Sequence, residues 1–164
     1  MDTTRSRYGT FDELRAYCYG VASTVGLICG EIFEYRHPIA KEYAIDLGIA
    51  MQLTNILRDI GEDSAMGRVY LPQDEIIRFG YSEELLLHGT VTAEFQALMK
   101  FQVERARLYY AQGAKLAALI PFRSRACVAI LRGLYYRLLD RIEENGYDVF
   151  RTRIRLPNRE KLLL

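Results

Sequence analysis

The chain has 164 residues, of which 50% are hydrophobic and 26% charged, and its formal net charge is +1 at pH 7. This composition is typical of a globular protein with a packed core, and we expect residues 1–164 to form a single domain. Because lysines and arginines are interleaved with acids, no basic surface for nucleic acid is expected, and no apolar run reaches the roughly 20 residues that span a bilayer.

The first predicted helix begins at a capping box. Residues 10–13, with the sequence TFDE, have the threonine and glutamate of that motif, and apolar residues follow at helical spacing as far as Ile32. We expect the helix to end near Tyr35, ahead of Pro38. It contains glycines at positions 20, 26 and 30, which disfavour a helix and indicate that a neighbouring helix or a ligand approaches closely.

The second predicted helix spans about residues 39–63 and carries a polar stripe. At about 100° per residue, five polar side chains fall within an arc of roughly 100°. They are Gln52, Asn55, Asp59, Glu62 and Asp63. Most other positions of this helix are apolar, which indicates burial, so the stripe must face something polar.

The side chains of the stripe suit a divalent cation and a diphosphate. Asp59 and Asp63 are four residues apart, and with Asn55 one turn earlier they offer the oxygen ligands that Mg²⁺ prefers. The guanidinium of Arg58, at the edge of the stripe, could bind a diphosphate oxygen. The apolar surroundings favour a lipid diphosphate. The alternative is that both aspartates are surface carboxylates paired with Arg58 or Arg68.

A loop at residues 64–72 follows the stripe. It brings Arg68 and Tyr70 close enough in sequence to fold back over the carboxylates. The alternative is that Arg68 is a solvated charge and Tyr70 an anchor for the loop.

The rest of the chain is predicted to be helical. Short helices are expected at residues 73–79 and after Ser82, and Thr92 can cap a long helix that continues to Pro121. A last helix is expected at about residues 124–145. Because no alternating strand pattern competes with these helices, the predicted fold is all α.

The tail from Tyr147 is basic. It contains Arg151, Arg153, Arg155, Arg159 and Lys161. We expect a solvated arm laid across the helices, and the alternative is a contact for anionic lipid headgroups at a membrane surface.

The cysteines and the N-terminus indicate the compartment. The three cysteines form no CxxC pair and are an odd number, which favours reduced thiols. The first residues lack the apolar core of a signal peptide. We therefore expect a soluble cytoplasmic protein that at most contacts a membrane peripherally.

Two segments resemble the squalene/phytoene synthase family of head-to-head prenyl transferases. Residues 17–26, YCYGVASTVG, are similar to the tyrosine, valine-alanine and glycine helix of that family. The second segment runs from Leu47-Gly48 through Gln52, Asn55, Arg58, Asp59 and Asp63 to Arg68-Val69-Tyr70-Leu71-Pro72, and is similar to the family's second aspartate-rich motif. Because this segment matches in both identity and spacing, it argues against the surface-carboxylate alternative.

The resemblance implies a Mg²⁺-dependent enzyme that joins two prenyl diphosphates, geranylgeranyl or farnesyl diphosphate, in an apolar channel. The implied fold is a helical bundle of the isoprenoid synthase type. The implied roles are metal ligands for Asn55, Asp59 and Asp63, catalytic groups for Asp59, Asp63 and Arg58, and substrate contacts for Tyr17, Val21, Gln52, Arg58, Arg68, Tyr70 and Tyr135.

The resemblance favours a phytoene synthase, because residues 52–75 are most similar to that branch. Synthesis of squalene, presqualene diphosphate or dehydrosqualene is the alternative within the family. A non-catalytic helical module for assembly or lipid binding is the alternative of another class.

One departure from the family lies at the N-terminus. Family members are nearly twice as long and carry an earlier aspartate-rich motif, whereas residues 59–63 form the single DxxxD of this sequence. We therefore expect a C-terminal portion of the fold with the N-terminal helices missing, with weak or no activity alone. An apolar face left by those helices would favour self-association.

Overall fold

The computed structural model describes residues 6–157 and residue 160. Within these residues the secondary structure is helical apart from an isolated bridge between Arg7 and Val69, which confirms the all-α prediction. The helices are α1 (Phe11–Cys18), α2 (Thr24–Ile32), α3 (Ala40–Ala65), α4 (Gln73–Arg78), α5 (Glu83–Leu87), α6 (Ala93–Gly113) and α7 (Phe122–Glu144). No helix in the described ranges is long and apolar enough to cross a bilayer.

Helix α3 is central, and α2, α6 and α7 pack around it. Its buried side chains include Leu53 and Leu57, which join a core that α6 supplies with Met99 and Val103. One polar contact lies inside this core, where the Thr54 hydroxyl is 2.8 Å from the hydroxyl of Tyr110. The predicted polar stripe therefore lies on α3, the helix that the other long helices surround.

The predicted first helix is interrupted. Its capping box is confirmed, because Thr10 accepts from the Glu13 amide and the Glu13 carboxylate accepts from the Gly9 amide at 2.8 Å. A π-helical turn at Tyr19–Ser23 then separates α1 from α2, which ends at Ile32. A π-helical turn contains one residue more than an α-helical turn, and the hydrophobic periodicity of the sequence did not reveal it.

The π-helical turn lies directly against α3. A Cβ atom on Gly48 would be 2.8 Å from Cα of Ser23, so only glycine allows this contact. The hydroxyl of Ser23 donates to the Ile45 carbonyl at 2.9 Å and fixes the crossing. Of the three glycines expected to mark a close approach, Gly26 does so, because a Cβ atom there would lie 3.2 Å from the Ala44 carbonyl oxygen, whereas nothing lies within 4 Å of one on Gly20.

The long helix predicted from Thr92 ends earlier than expected. Helix α6 stops at Gly113, and a 3₁₀ segment at Ala114–Leu119 precedes α7. A Cβ atom on Gly113 would lie 2.7 Å from Cβ of Leu47, so α6 reaches α3 through a position without a side chain.

Residues 148–157, here called the strap, run from the end of α7 across α3. Val149 is 3% exposed, and the ring of Phe150 lies 5.1 Å from that of Phe95. The root of the strap is therefore buried, unlike the solvated arm expected from its composition. Of the basic tail residues, Arg159 and Lys161 lie outside the described residues.

Candidate active site

An apolar hollow of about 300 Å³ opens between the π-helical turn, α2, α3 and α7. Its wall includes four of the predicted site residues, namely Val21, Gln52, Asn55 and Tyr135. Most of the remaining lining is aliphatic or glycine, and Gly26, Gly30 and Gly48 are all part of the wall. The hollow can accept a long hydrocarbon chain.

The polar stripe of α3 begins on the wall of this hollow. Asn55 donates to Gln52 at 3.5 Å, and both side chains are half-buried. One turn further along α3, Arg58 binds Asp59 through two hydrogen bonds, from Nε to Oδ1 at 2.7 Å and from Nη2 to Oδ2 at 2.5 Å. The hydrogen bonds to Asp59 raise the pKa of Arg58, so this guanidinium stays charged.

A second hollow, of about 460 Å³, lies between α3, α7 and the strap. Arg58, Arg153 and Arg155 line it, so we call it the arginine hollow. Tyr135 is part of both walls, which places the arginine hollow beside the apolar one. A ligand with an apolar tail and an anionic head could occupy both.

Arg153 is a site residue that the sequence analysis did not identify. Its Nε donates to Asp59 Oδ1 at 3.0 Å, and its Nη1 lies 3.4 Å from Glu62 Oε2. Asp59 therefore binds one guanidinium from its own helix and one from the strap. The arginine-rich tail was the available signal, but sequence alone did not indicate which arginine returns to α3.

The other predicted residues, Tyr17, Asp63 and Arg68, are grouped around Tyr70. Tyr17 and Tyr70 pack in an aromatic cluster with Tyr8, with ring centroids 5.4 to 5.8 Å apart. Asp63 and Tyr70 line a small hollow of about 10 Å³. Tyr70 is 9% exposed, which agrees with the anchor interpretation of the loop.

The loop carrying Arg68 is attached to α3 and to the N-terminal segment through two consecutive backbone amides. The amide of Arg68 donates to the Asp63 carbonyl at 2.8 Å, and the next amide, of Val69, donates to the Ser6 carbonyl at 2.9 Å. Val21, Gln52, Asn55, Arg58 and Tyr135 thus line the two large hollows, and Asp59 is held beside the arginine hollow by Arg58 and Arg153. Tyr17, Asp63, Arg68 and Tyr70 are grouped at the aromatic cluster and the small hollow.

The donor chemistry at the stripe fits a divalent cation. Asn55 and Asp59 offer hard oxygen atoms beside the apolar hollow, and two guanidiniums now supply the positive charge at Asp59. No group of three or more His, Cys, Asp or Glu side chains in the described residues is arranged to hold a metal. A cation bound here would therefore depend on oxygen atoms from an amide, from water or from the ligand.

Residues 1–160 match the family model described as squalene/phytoene synthase. The chain is 45% identical to the phytoene synthase of Arthrospira platensis over 99% of this chain and 57% of that one. It is also 45% identical to the chloroplastic phytoene synthase 2 of Solanum lycopersicum, over 99% and 54% of the two chains.

Solved structures also show similarity to members of this family. The fold superposes with a TM-score of 0.90 on a dehydrosqualene synthase crystallised with a ligand, at 30% identity over 99% of this chain and 58% of the other. For the squalene synthase of Alicyclobacillus acidocaldarius the TM-score is 0.85 at 27% identity, over 89% and 56% of the two chains. The chain spans a little more than half the length of these relatives. It belongs to the squalene/phytoene synthase family, as the sequence motifs indicated.

Proposed function

We propose that this chain carries part of the active site of a Mg²⁺-dependent transferase that condenses two prenyl diphosphates head to head, of the phytoene synthase type. The observation that best supports this is the continuity of the two hollows at Tyr135. An apolar hollow beside one with three arginines in its wall matches a hydrocarbon chain with a diphosphate at one end.

Different residues of α3 would bind the Mg²⁺ and the diphosphate of the head group. Asn55, Asp59 and Asp63 would hold Mg²⁺, while Gln52 and Arg58 would contact the diphosphate itself. When bound, Mg²⁺ neutralises the negative charge that the leaving diphosphate gains. Asp63 lies one helical turn beyond Asp59 and lines the small hollow with Tyr70, so the loop that carries Arg68 and Tyr70 would lie beside the head group.

The apolar wall governs the fate of the hydrocarbon. Loss of diphosphate leaves an allylic cation, and the double bond of the second substrate attacks it to give a new carbocation. Loss of a proton from this carbocation closes the cyclopropyl ring of the intermediate. Val21 and the glycines of the hollow keep water away from this cation, which would otherwise be hydrolysed. The ring face of Tyr135 can stabilise positive charge that develops near the junction of the hollows.

Relatives named as phytoene synthases support the phytoene product, at 42% to 45% identity. Squalene, presqualene diphosphate or dehydrosqualene is the alternative product, which the structural relatives named as squalene and dehydrosqualene synthases support. Incubation of the chain with Mg²⁺ and either geranylgeranyl or farnesyl diphosphate, followed by extraction and chromatography, identifies the substrate and product lengths.

The experiment that tests the proposal is calorimetric binding of a thiodiphosphate analogue of geranylgeranyl diphosphate, which resists ionisation. We expect saturable binding that requires Mg²⁺ in the wild type and in Asp74→Asn, an exposed carboxylate on α4 that serves as the control. In Asp59→Asn, addition of Mg²⁺ should no longer change the binding of the analogue. Absence of binding, or equal binding with and without Mg²⁺, would contradict the proposal.

One observation favours a function of another class, a non-catalytic module for assembly or lipid binding. Val25, Ile28 and Ile32 on α2 are 57%, 62% and 72% exposed, which is unusual for three aliphatic side chains on one helix. Self-association or a peripheral membrane contact would cover them. Sedimentation with and without vesicles of anionic lipid tests this alternative, and the cytoplasmic location stays a prediction.

A further inference from the structure

Asp59 is held from two directions by groups of different exposure to solvent. Arg58 is its neighbour on α3, and both side chains are 19% exposed. Arg153 comes from the strap, its side chain is 36% exposed, and it also lies 3.4 Å from Glu62. The strap arginine is therefore the more exchangeable of the two partners.

The strap reaches α3 because of a fixed crossing point. A Cβ atom on Gly61 would lie 2.7 Å from the Val149 carbonyl oxygen, so only glycine lets the strap pass this close. Phe150 is held on the ring of Phe95, which secures the root of the strap. With the root fixed, the long side chain of Arg153 is within reach of both Asp59 and the arginine hollow.

We propose that the Arg153 side chain has two positions. It pairs with the Asp59 and Glu62 carboxylates until a divalent cation binds Asp59, and it then turns into the interior of the arginine hollow whose wall it lines. This inference rests on the proposed function, since it assumes that Asp59 binds the cation. It adds to that function a coupling between cation binding and anion binding, because binding of the cation moves a positive charge into the site of the anion.

Charge balance favours this exchange. A divalent cation on Asp59 repels both of its guanidiniums, and Arg153 is the one released because it donates to Asp59 through one nitrogen while Arg58 donates through two. Once released, Arg153 can join Arg58 and Arg155 around an anion, which strengthens anion binding only after the cation is present. The order of binding would then be cation before diphosphate, and by linkage each ligand would raise the affinity for the other.

The first test measures the affinity for Mn²⁺ by the electron paramagnetic resonance of the unbound ion. Arg153→Met removes the competing guanidinium, so we expect roughly two- to fivefold tighter Mn²⁺ binding than in the wild type. Arg155→Met is the matched control, because Arg155 lines the same hollow but makes no ion pair with Asp59 or Glu62 in the described part of the chain.

The outcomes separate the exchange from the proposed function. Tighter binding in Arg153→Met than in Arg155→Met supports the exchange. Equal affinities in the two variants overturn it, as does weaker binding in Arg153→Met, while the loss of Mn²⁺ in Asp59→Asn would still support the proposed metal role. If Asp59→Asn binds Mn²⁺ as the wild type does, or if no variant binds it, the proposed metal role fails and the exchange fails with it.

A second test follows the arginine itself by nuclear magnetic resonance. The Nε–H signal of Arg153, assigned by its absence in Arg153→Met, should move on addition of Mg²⁺ in the wild type and stay in place in Asp59→Asn. A signal that does not respond to Mg²⁺ in the wild type, under conditions where Mn²⁺ binds, overturns the exchange.

Discussion

Two carboxylate–arginine sites in this molecule have the same chemistry and different surroundings. Glu75 of α4 binds Arg105 of α6 through both of its oxygens, one of them at 2.9 Å from Nη1. Gln102 donates to the same carboxylate at 2.6 Å, and the guanidinium of Arg105 lies 3.8 Å from the ring centre of Phe11. Every partner in this site belongs to a helix or packs against one.

The Asp59 site differs in two ways. It lies beside the two large hollows, and one of its guanidiniums belongs to the strap. The Glu75 side chain is 9% exposed, whereas that of Asp59 is 19% exposed and that of Arg153 is 36% exposed. An ion pair sealed by rings and amides holds the fold together, while one at the edge of a hollow can exchange its partner for a ligand.

The largest expected effect is in the sealed pair. Glu75→Ala leaves the guanidinium of Arg105 without its carboxylate in a site largely closed to water, so we expect a loss of about 3 kcal/mol in the free energy of unfolding. Urea denaturation followed by circular dichroism measures it. Glu84→Ala, at an exposed position on α5, is the control and should change stability by less than about 0.5 kcal/mol. Equal losses in both variants would mean that the sealed pair does not stabilise the fold.

The next effect concerns the crossing of the strap over α3. Gly61→Ala places a methyl group against the Val149 carbonyl, so we expect a loss of about 2 kcal/mol despite the better helix propensity of alanine. Gly20→Ala is the matched control, because nothing lies within 4 Å of its added Cβ. That variant should be neutral or slightly more stable. If Gly61→Ala were as stable as Gly20→Ala, the strap would not be fixed where we describe it.

A smaller effect is expected in the exchangeable pair. Asp59→Asn removes a partly exposed carboxylate with two cationic partners, so its cost in unfolding free energy should be about 1 kcal/mol or less. The same denaturation measurement, made beside Glu75→Ala, compares the two sites directly. A loss as large as that of Glu75→Ala would show that Asp59 has a structural role, and would remove the contrast between the sites.

The smallest expected effect is on the reactivity of two cysteines, one buried in the core and one on the wall of a hollow. Burial raises the pKa of Cys18 to about 12, so its thiolate is scarce at neutral pH, whereas Cys29 lies on the wall of the apolar hollow. We expect iodoacetamide to modify Cys29 and spare Cys18, and a bound prenyl thiodiphosphate to slow modification of Cys29 severalfold. Mass spectrometry of the digested protein measures both rates. Unchanged Cys29 reactivity would place the hydrocarbon chain elsewhere.

Much of the fold follows from local sequence signals. Helix α3 was expected at about residues 39–63 and spans Ala40–Ala65, and the capping box at Thr10 forms as predicted. The π-helical turn was not predictable, because the apolar spacing of residues 14–32 fits an ordinary helix, and its contact with Gly48 is between residues 25 positions apart. The early end of α6 likewise depends on its contact with Leu47.

For the candidate site, sequence patterns reach only those residues that share one helix. The polar stripe, from Gln52 to Asp59, follows from residue spacing on α3, and Tyr135 was identified through the family resemblance. The partner of Asp59 from the strap lies 94 positions away in sequence, and no local pattern indicates which strap arginine reaches it. Such a pairing is decided by where the root of the strap packs, which depends on Val149 and Gly61 together.

The most direct measurement of the central claim is a crystal structure of the chain with Mn²⁺ and the geranylgeranyl thiodiphosphate analogue, in which anomalous scattering locates the metal. We expect a metal peak at about 2.0–2.2 Å from an oxygen of Asp59, with the hydrocarbon chain in the hollow lined by Val21 and Tyr135. A metal peak on other carboxylates, with Asp59 still bound to Arg153 and the apolar hollow empty, would contradict the account.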